Sequence, residues 1–390
     1  MYDVIIIGAG TAGLTAARQL SNNFLILESK KEIGYPLRCG EGIREDIFTE
    51  FFDYKHFPFI RNSVYELVLI VNNLRRTVKE SYIQVDKPKF EQWLADPVKE
   101  HIKLRYHVNL IKKTKECVEI YTDKQVFRAK LVIIATGSVF KLQKQLGLCN
   151  NKKEILLGYG GIYKNYRLDK NKFYFIFDDK FAGYFWVFPK TKDIVNIGFG
   201  ALNTNKNVKN TFNLLLKKYC PKAESIYNYA GLIDCSGPIK KTYTNRVIVC
   251  GGAAGFVHAA TGEGIPYALI SGKIAGTIAQ KAVQKNEFSA RFLKQYEIAW
   301  KKAIGNQLVH GLDINLLMRT AYKYGVFEKI FKSPTEQEAR EMITMSKLPK
   351  RAKLAVRFIK LFGLDTKDLN KKPISKRLRL AYKLANRLSQ

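Results

Sequence analysis

Three glycines near the N-terminus are the first residues that could do chemistry. Gly8, Gly10 and Gly13 form Gly8-Ala9-Gly10-Thr11-Ala12-Gly13, set between an apolar strand pattern at residues 3–8 and a helical pattern running to about Leu20. Gly8 suits a tight turn, Gly10 lets the backbone approach a pyrophosphate, and Gly13 lets the helix pack closely on the strand. The helix N-terminus adds free N–H groups and the positive end of its dipole. Glu28 ends a second strand pattern, FLILE at 24–28, where an acidic side chain would meet ribose hydroxyls. This βαβ unit predicts a bound dinucleotide and, by itself, leaves NAD and FAD both open.

Two further groups could act on a substrate. Cys39 sits in Tyr35-Pro36-Leu37-Arg38-Cys39-Gly40-Glu41-Gly42. A thiol in a glycine-rich loop is either a working group beside a cofactor or an inert buried residue, and both readings stand at this point. Residues 184–189 read Tyr-Phe-Trp-Val-Phe-Pro, and Gly198-Phe199-Gly200 follows after eight residues. Strand alternation places Tyr184, Trp186 and Phe188 on one face. Such a row either packs a core or walls a long apolar pocket, with the glycines admitting a flavin or substrate.

The elements that must position these groups follow from pattern. LVIIA at 131–135 is a buried strand leading into Ala135-Thr136-Gly137. RVIVC at 246–250 is another, running into Gly251-Gly252-Ala253-Ala254-Gly255 and then Thr261-Gly262-Glu263-Gly264-Ile265. A helix is predicted from about Gly264 to Lys285. Residues 64–71 and 76–85 predict a hairpin around Asn72–Asn73, 88–100 a helix with Pro88 at its start, and 104–128 short strands. The aromatic density of 155–200 predicts an antiparallel sheet. Residues 208–230 predict a helix and then a loop, and 290–390 a basic helical region.

Composition narrows the partners. Lys and Arg number 66 against 34 acidic residues, a net charge of +32 that attracts polyanions without choosing among them. From 347 to 390 fourteen Lys or Arg face two Asp, with apolar residues interleaved. That tail is either a surface-lying membrane helix or a solvated helix packed on the body. Six scattered cysteines and five histidines give no metal-ligand spacing and suit a reducing interior. A Cys220–Cys235 bond stays open. No secretion signal and no membrane-spanning run is visible, so a cytoplasmic or peripheral protein is expected.

The order of these motifs resembles FAD-dependent reductases and hydroxylases of the para-hydroxybenzoate hydroxylase fold. The resemblance implies FAD lined by Gly251, Ala254, Gly255, Gly262, Gly264 and Ile265, with Gly8, Gly10, Gly13, Glu28, Ala135, Thr136 and Gly137. Gly252 stands where that family usually has Asp, which removes a hydrogen bond to the ribityl chain. Tyr184–Pro189 with Gly198 and Gly200 resembles the YxWxFPx8GxG pattern of geranylgeranyl reductases, although Phe181 stands where proline is frequent. The Cys39 loop resembles their P-x-x-C-G loop, which adds Arg38, Cys39 and Gly40 near the flavin. Residues 85–95 resemble V-D-R-x-x-F-D-x-W-L, with Lys87 for Arg.

The resemblance implies Cys39 as catalytic residue, and Tyr184, Trp186, Phe188, Pro189, Gly198 and Gly200 as substrate contacts. It implies an α/β protein with a Rossmann-like FAD-binding domain (1–60, 86–150 and 241–290), an antiparallel-sheet substrate domain (61–85 and 151–240) and a helical basic region (291–390). The expected activity is reduction of C=C bonds in geranylgeranyl chains of membrane lipid precursors. The expected partners are an isoprenoid lipid and an anionic membrane surface, and no nucleic acid. The rival readings are a flavin monooxygenase or halogenase on the same fold, and a non-enzymatic membrane- or nucleic-acid-binding protein.

Overall fold

The computed structural model describes residues 1–361 apart from 22, 54–56, 73, 150–153, 179–180, 203–206, 333 and 344–347. Asn73 of the expected hairpin turn and the last part of the basic tail, 362–390, therefore lie outside the described residues. The strands in chain order are β1 (Tyr2–Ile7), β2 (Phe24–Glu28), β3 (Gly42–Arg44), β4 (Ile60–Val71), β5 (Leu74–Val85), β6 (Ile102–Leu104), β7 (Val108–Lys113), β8 (Val118–Thr122), β9 (Val126–Ile134), β10 (Ile155–Lys164), β11 (Lys172–Asp178), β12 (Phe181–Pro189), β13 (Ile194–Leu202), β14 (Glu224–Asp234), β15 (Tyr243–Thr244) and β16 (Val247–Val249).

They form two sheets. The first runs β15-β16-β9-β1-β2-β6, with β7 and β8 joined to it through β9. β1 lies between β2 and β9, parallel to both, with Ile5 opposite Leu25 on one side and Val132 on the other. Val4–Ile7 and Leu131–Ile134 are buried without alternation, because a parallel sheet is covered on both faces. The second sheet runs β14-β10-β13-β12-β11-β4-β5-β3 and is antiparallel except where β11 joins β4. Alternation does operate here. Phe185, Val187, Ile197 and Phe199 pack beneath the helix Val208–Tyr219, while Trp186 and Phe188 pack with Phe173 and Tyr82 on the other face.

Three details differ from the sequence reading or complete it. Residues 224–230, expected as loop, belong to β14 (Glu224–Asp234) beside β10. As an edge strand it leaves Ile226, Tyr227 and Leu232 exposed, so its pattern lacks the buried alternation that signals a strand. Gly42–Arg44, expected within the dinucleotide domain, pairs with β5 and carries the N-terminal segment into the second sheet. Cys220 and Cys235 are buried free thiols. Among the described residues no helix is long and apolar enough to cross a membrane.

The helix Ile265–Lys285 packs on Thr11–Ala17 through small residues. A Cβ on Gly276 would stand 2.2 Å from the Ala16 carbonyl oxygen, and one on Gly272 2.4 Å from that of Ala12. Backbone cannot yield as a flexible side chain can. Gly276→Val should therefore destabilise the protein by about 1–3 kcal/mol through overpacking. Thermal unfolding of holoprotein checks this, and an unchanged midpoint would contradict the packing described.

Candidate functional site

The site begins at the turn after β1. Gly8 has φ +105°, and a Cβ there would lie 2.5 Å from the Ala135 carbonyl oxygen. The turn is tied down from β2, where Glu28 Oε2 accepts the Ala9 N–H at 2.7 Å and Oε1 accepts the Lys30 N–H at 2.9 Å. Oε1 also accepts the Ser29 hydroxyl at 3.2 Å, so the buried carboxylate is held from three sides.

The distant glycine motifs converge on this turn. Gly252 comes within ordinary contact of Gly137, its would-be Cβ standing 3.4 Å from the Gly137 Cα. The Gly251 N–H donates to Ser271 Oγ at 3.0 Å, and Ala254 accepts the Ile239 N–H. Thr136 Oγ1 closes its own turn on the Val139 carbonyl at 3.0 Å. Gly264 precedes the helix Ile265–Lys285 with no side-chain cap, and Ile265 is buried. Two backbone positions face open space. A Cβ on Gly10 would meet nothing nearer than Glu91 Oε1 at 3.7 Å, and one on Gly137 nothing within 4 Å. That is a backbone cradle that side chains would narrow, and it fits a dinucleotide pyrophosphate.

A buried ion pair borders the cradle. Lys87 Nζ lies 2.6 Å from Glu91 Oε1, which also accepts the Thr11 N–H and hydroxyl at 2.9 Å. Burial opposes ionisation of both, yet each holds the other charged: Glu91 lies below the usual carboxyl range and Lys87 above the usual amine range.

Cys39 stands beside this pair. Burial pushes its thiol up, while Lys87 and the Glu41 N–H, which donates to Sγ at 3.3 Å, pull the other way. The loop lies flat on the second sheet. A Cβ on Gly40 would sit 3.3 Å from Phe188 Cε2, and one on Gly42 2.8 Å from Phe173 Cε2. Arg38 is exposed, against Gly231 of β14.

Tyr184, Trp186 and Phe188 share a face, but their surroundings differ. Trp186 and Phe188 are buried beneath the Cys39 loop. The space opened by Gly198 is taken by the Trp186 indole, since a Cβ there would stand 2.0 Å from Cζ2. Leu156 fills the space at Gly200 in the same way, at 2.5 Å. The expected close approach at the Gly198-Phe199-Gly200 segment is thus made by neighbouring strands. The Pro189 carbonyl accepts Asn62 Nδ2 at 3.1 Å. Tyr184 alone of the row lines a small cleft, of about 30 Å³, with Phe177, Asp178, Phe181, Ala260, Asn315, Met318, Arg319 and Tyr322. Its hydroxyl donates to the Thr261 carbonyl and so joins the cleft to the glycine-rich segment.

Several residues here escaped the sequence reading. The helix Asn306–Lys323 supplies Met318 and Tyr322 to the cleft, where the sequence pattern shows only part of a basic helical region over 290–390. Asn196 hides in the eight-residue gap before Gly198. Glu263 lies inside a quoted motif without an assigned part. The residue as a whole is half-buried, but both carboxyl oxygens are shut off from solvent, with the Arg44 backbone nearby. Burial pushes its carboxyl up to about 7, against the pull of Arg44.

Comparison with known proteins agrees with this geometry. Residues 155–237 match the family described as geranylgeranyl reductase catalytic domain, and residues 5–156 match pyridine nucleotide-disulphide oxidoreductase. Digeranylgeranylglycerophospholipid reductase of Methanocaldococcus jannaschii is 32% identical over 327 residues, covering 77% of this chain and 83% of the relative. The Methanococcus vannielii protein of the same name is 31% identical over 342 residues, covering 82% and 87%. A geranylgeranyl bacteriochlorophyll reductase-like protein from Thermoplasma acidophilum shares the fold with TM-score 0.75 at 23% identity, covering 81% of this chain and 87% of its own. The flavin-dependent brominase Bmp2 shares it with TM-score 0.69 at 15% identity, covering 94% and 100%. Fold and cradle define an FAD-dependent oxidoreductase. The chain belongs to the digeranylgeranylglycerophospholipid reductase family.

Glu263 gives a pH prediction. Its native pKa of about 7 exceeds the ordinary value of 4.5, so between those values the native state binds more protons than the unfolded chain. Stability is then full below the lower value and falls as pH rises through the upper one, by at most roughly 1.4 kcal/mol per pH unit from this group. Denaturant midpoints measured from pH 4 to 8 should show a decline that is flatter in Glu263→Gln. Parallel curves for the two proteins would refute the protonated carboxyl.

Proposed function

We propose that this protein saturates C=C bonds of geranylgeranyl chains in membrane lipid precursors, using FAD. The observation that carries the reading is the Cys39 loop, pressed on the aromatic wall of Trp186 and Phe188 and linked through the helix Lys87–Ala95 to the glycine cradle. Gly8, Gly10, Gly13 and Glu28 would hold the adenosine and pyrophosphate end of FAD. Ala135–Gly137, Gly251, Ala254, Gly255, Gly262, Gly264 and Ile265 would line the rest, with Arg38, Cys39 and Gly40 opposite. Bound and reduced, FAD supplies a hydride.

The chain's own residues do the remaining work. An isolated alkene has no carbonyl to polarise, so the protein must align it and exclude water. The small cleft beside Tyr184, where Phe177, Phe181, Ala260 and Met318 stand with Asp178 and Arg319, would have to widen to admit an isoprenoid chain, each buried methylene then contributing roughly 0.8 kcal/mol. Trp186 and Phe188 back the loop from beneath, and Gly198 makes room for the Trp186 ring. Burial keeps the Cys39 thiol protonated at neutral pH, so Sγ holds a proton within this loop.

The test is mass spectrometry of geranylgeranyl lipids incubated with chemically reduced holoenzyme. Each saturated bond adds two hydrogens. Ala260→Phe, which fills the cleft, should cut turnover at least about tenfold, a loss of roughly 1.4 kcal/mol in transition-state binding. FAD content should be unchanged. Reoxidation by oxygen with hydroxylation or halogenation of an aromatic compound, and no gain of hydrogens, would replace this reading with a monooxygenase or halogenase.

We further propose that the basic surface seats the protein on the inner face of the cell membrane, where such a lipid resides. Its net charge of +32 is the support. Full-length protein should sediment with anionic vesicles and not with neutral ones, and salt should release it. Equal binding to both vesicle types would remove the electrostatic basis.

A further inference from the structure

We propose that Asn196 is a positioning residue that fixes the Cys39 loop, and with it the thiol, on the second sheet. The inference rests on reading that loop as the reacting end of the cleft. Asn196 is completely buried on β13. Its Nδ2 donates to the Cys39 carbonyl at 2.8 Å and to Glu41 Oε2 at 3.1 Å. Its Oδ1 accepts the Trp186 indole N–H at 3.0 Å. The Tyr229 hydroxyl lies 2.8 Å from both the Cys39 carbonyl and Asn196 Oδ1, and donates to one of them.

The amide orientation is forced. A carbonyl and a carboxylate only accept, and an indole N–H only donates, so nitrogen and oxygen cannot exchange places. No other side chain of this size supplies two donors and an acceptor in one plane. Aspartate would set a second carboxylate against Glu41 and could not donate to the Cys39 carbonyl. Leucine matches the shape but leaves the Trp186 N–H and one Glu41 oxygen without this partner. Through one amide the thiol-bearing loop, the aromatic wall and the edge strand β14 become a single unit. Gly40 and Gly42 allow the loop to lie close to that wall, and Asn196 determines where along it the loop stops.

The test uses FAD-loaded Asn196→Leu, Asn196→Asp and Tyr229→Phe beside wild type. Iodoacetamide alkylation of Cys39 is followed by mass spectrometry, with buried Cys220, Cys235 and Cys250 as internal controls. Both Asn196 variants should alkylate Cys39 at least about tenfold faster with the controls unchanged, as expected for losing one to two buried hydrogen bonds. In lipid reduction kcat should fall while KM changes little. Tyr229→Phe removes one donor and should shift alkylation in the same direction by less. It carries the test should the Asn196 variants fail to fold. Folded, FAD-loaded variants that alkylate Cys39 at the wild-type rate would overturn the proposal. Cys39→Ala separates the two readings: if it leaves lipid reduction intact while Asn196→Leu still accelerates alkylation, positioning stands and the part given to the thiol falls.

Discussion

Glu41 and Lys190 meet at 2.6 Å where water barely reaches, and the join between the two sheets depends on that pair. Taking both charges out of water is costly, and a close partner repays it only when the remaining lone pairs are also satisfied. Here they are. The second Glu41 oxygen accepts the Lys87 N–H at 3.0 Å, and the first also accepts Asn196. The pair therefore ties the end of β12 to the Cys39 loop and to the start of the helix Lys87–Ala95. One turn along that helix, Glu91 reaches the Thr11 amide at the first glycine turn. A continuous line of polar contacts thus connects the second sheet to the dinucleotide cradle. Loss of one partner would leave an uncompensated charge in the middle of it.

The parts legible in the sequence were those whose physics is local. Gly8, Gly10 and Gly13 with Glu28 declare a βαβ unit, because turn, helix start and acidic strand end fall within one short stretch. The alternation of Tyr184, Trp186 and Phe188 declares a shared face. What each face meets is not local. Nothing near Trp186 says that Gly198 hosts its ring, or that the Cys39 loop covers it. Glu263 looks like one more polar residue until its carboxyl oxygens are seen to be enclosed. The edge strand β14 escaped because it pairs on one side and keeps apolar residues in solvent, which erases the period of two.

The same frame serves different chemistries. Reductase-like and brominase structures both superpose on it, so the sheet order alone does not select a reaction. Under the proposed function, selection would rest on the surroundings of the cradle: a thiol held protonated by burial, an aromatic wall beneath it and a cleft that the helix Asn306–Lys323 helps to line. These lie on a loop, on the second sheet and on a C-terminal helix, outside the parallel sheet.

The contact between Trp186 and Gly198 constrains how this chain can drift over generations. The two residues face each other across β12 and β13, and the ring occupies the volume that any side chain at 198 would need. Enlarging residue 198 while the ring remains creates a clash, and shrinking residue 186 while glycine remains leaves a void beneath the thiol-bearing loop. Either single step is penalised, whereas a paired exchange of bulk from one strand to the other preserves the packing. Across descendants of this sequence the two positions should accordingly vary together or not at all, a linked inheritance written by one ring and one missing methyl group.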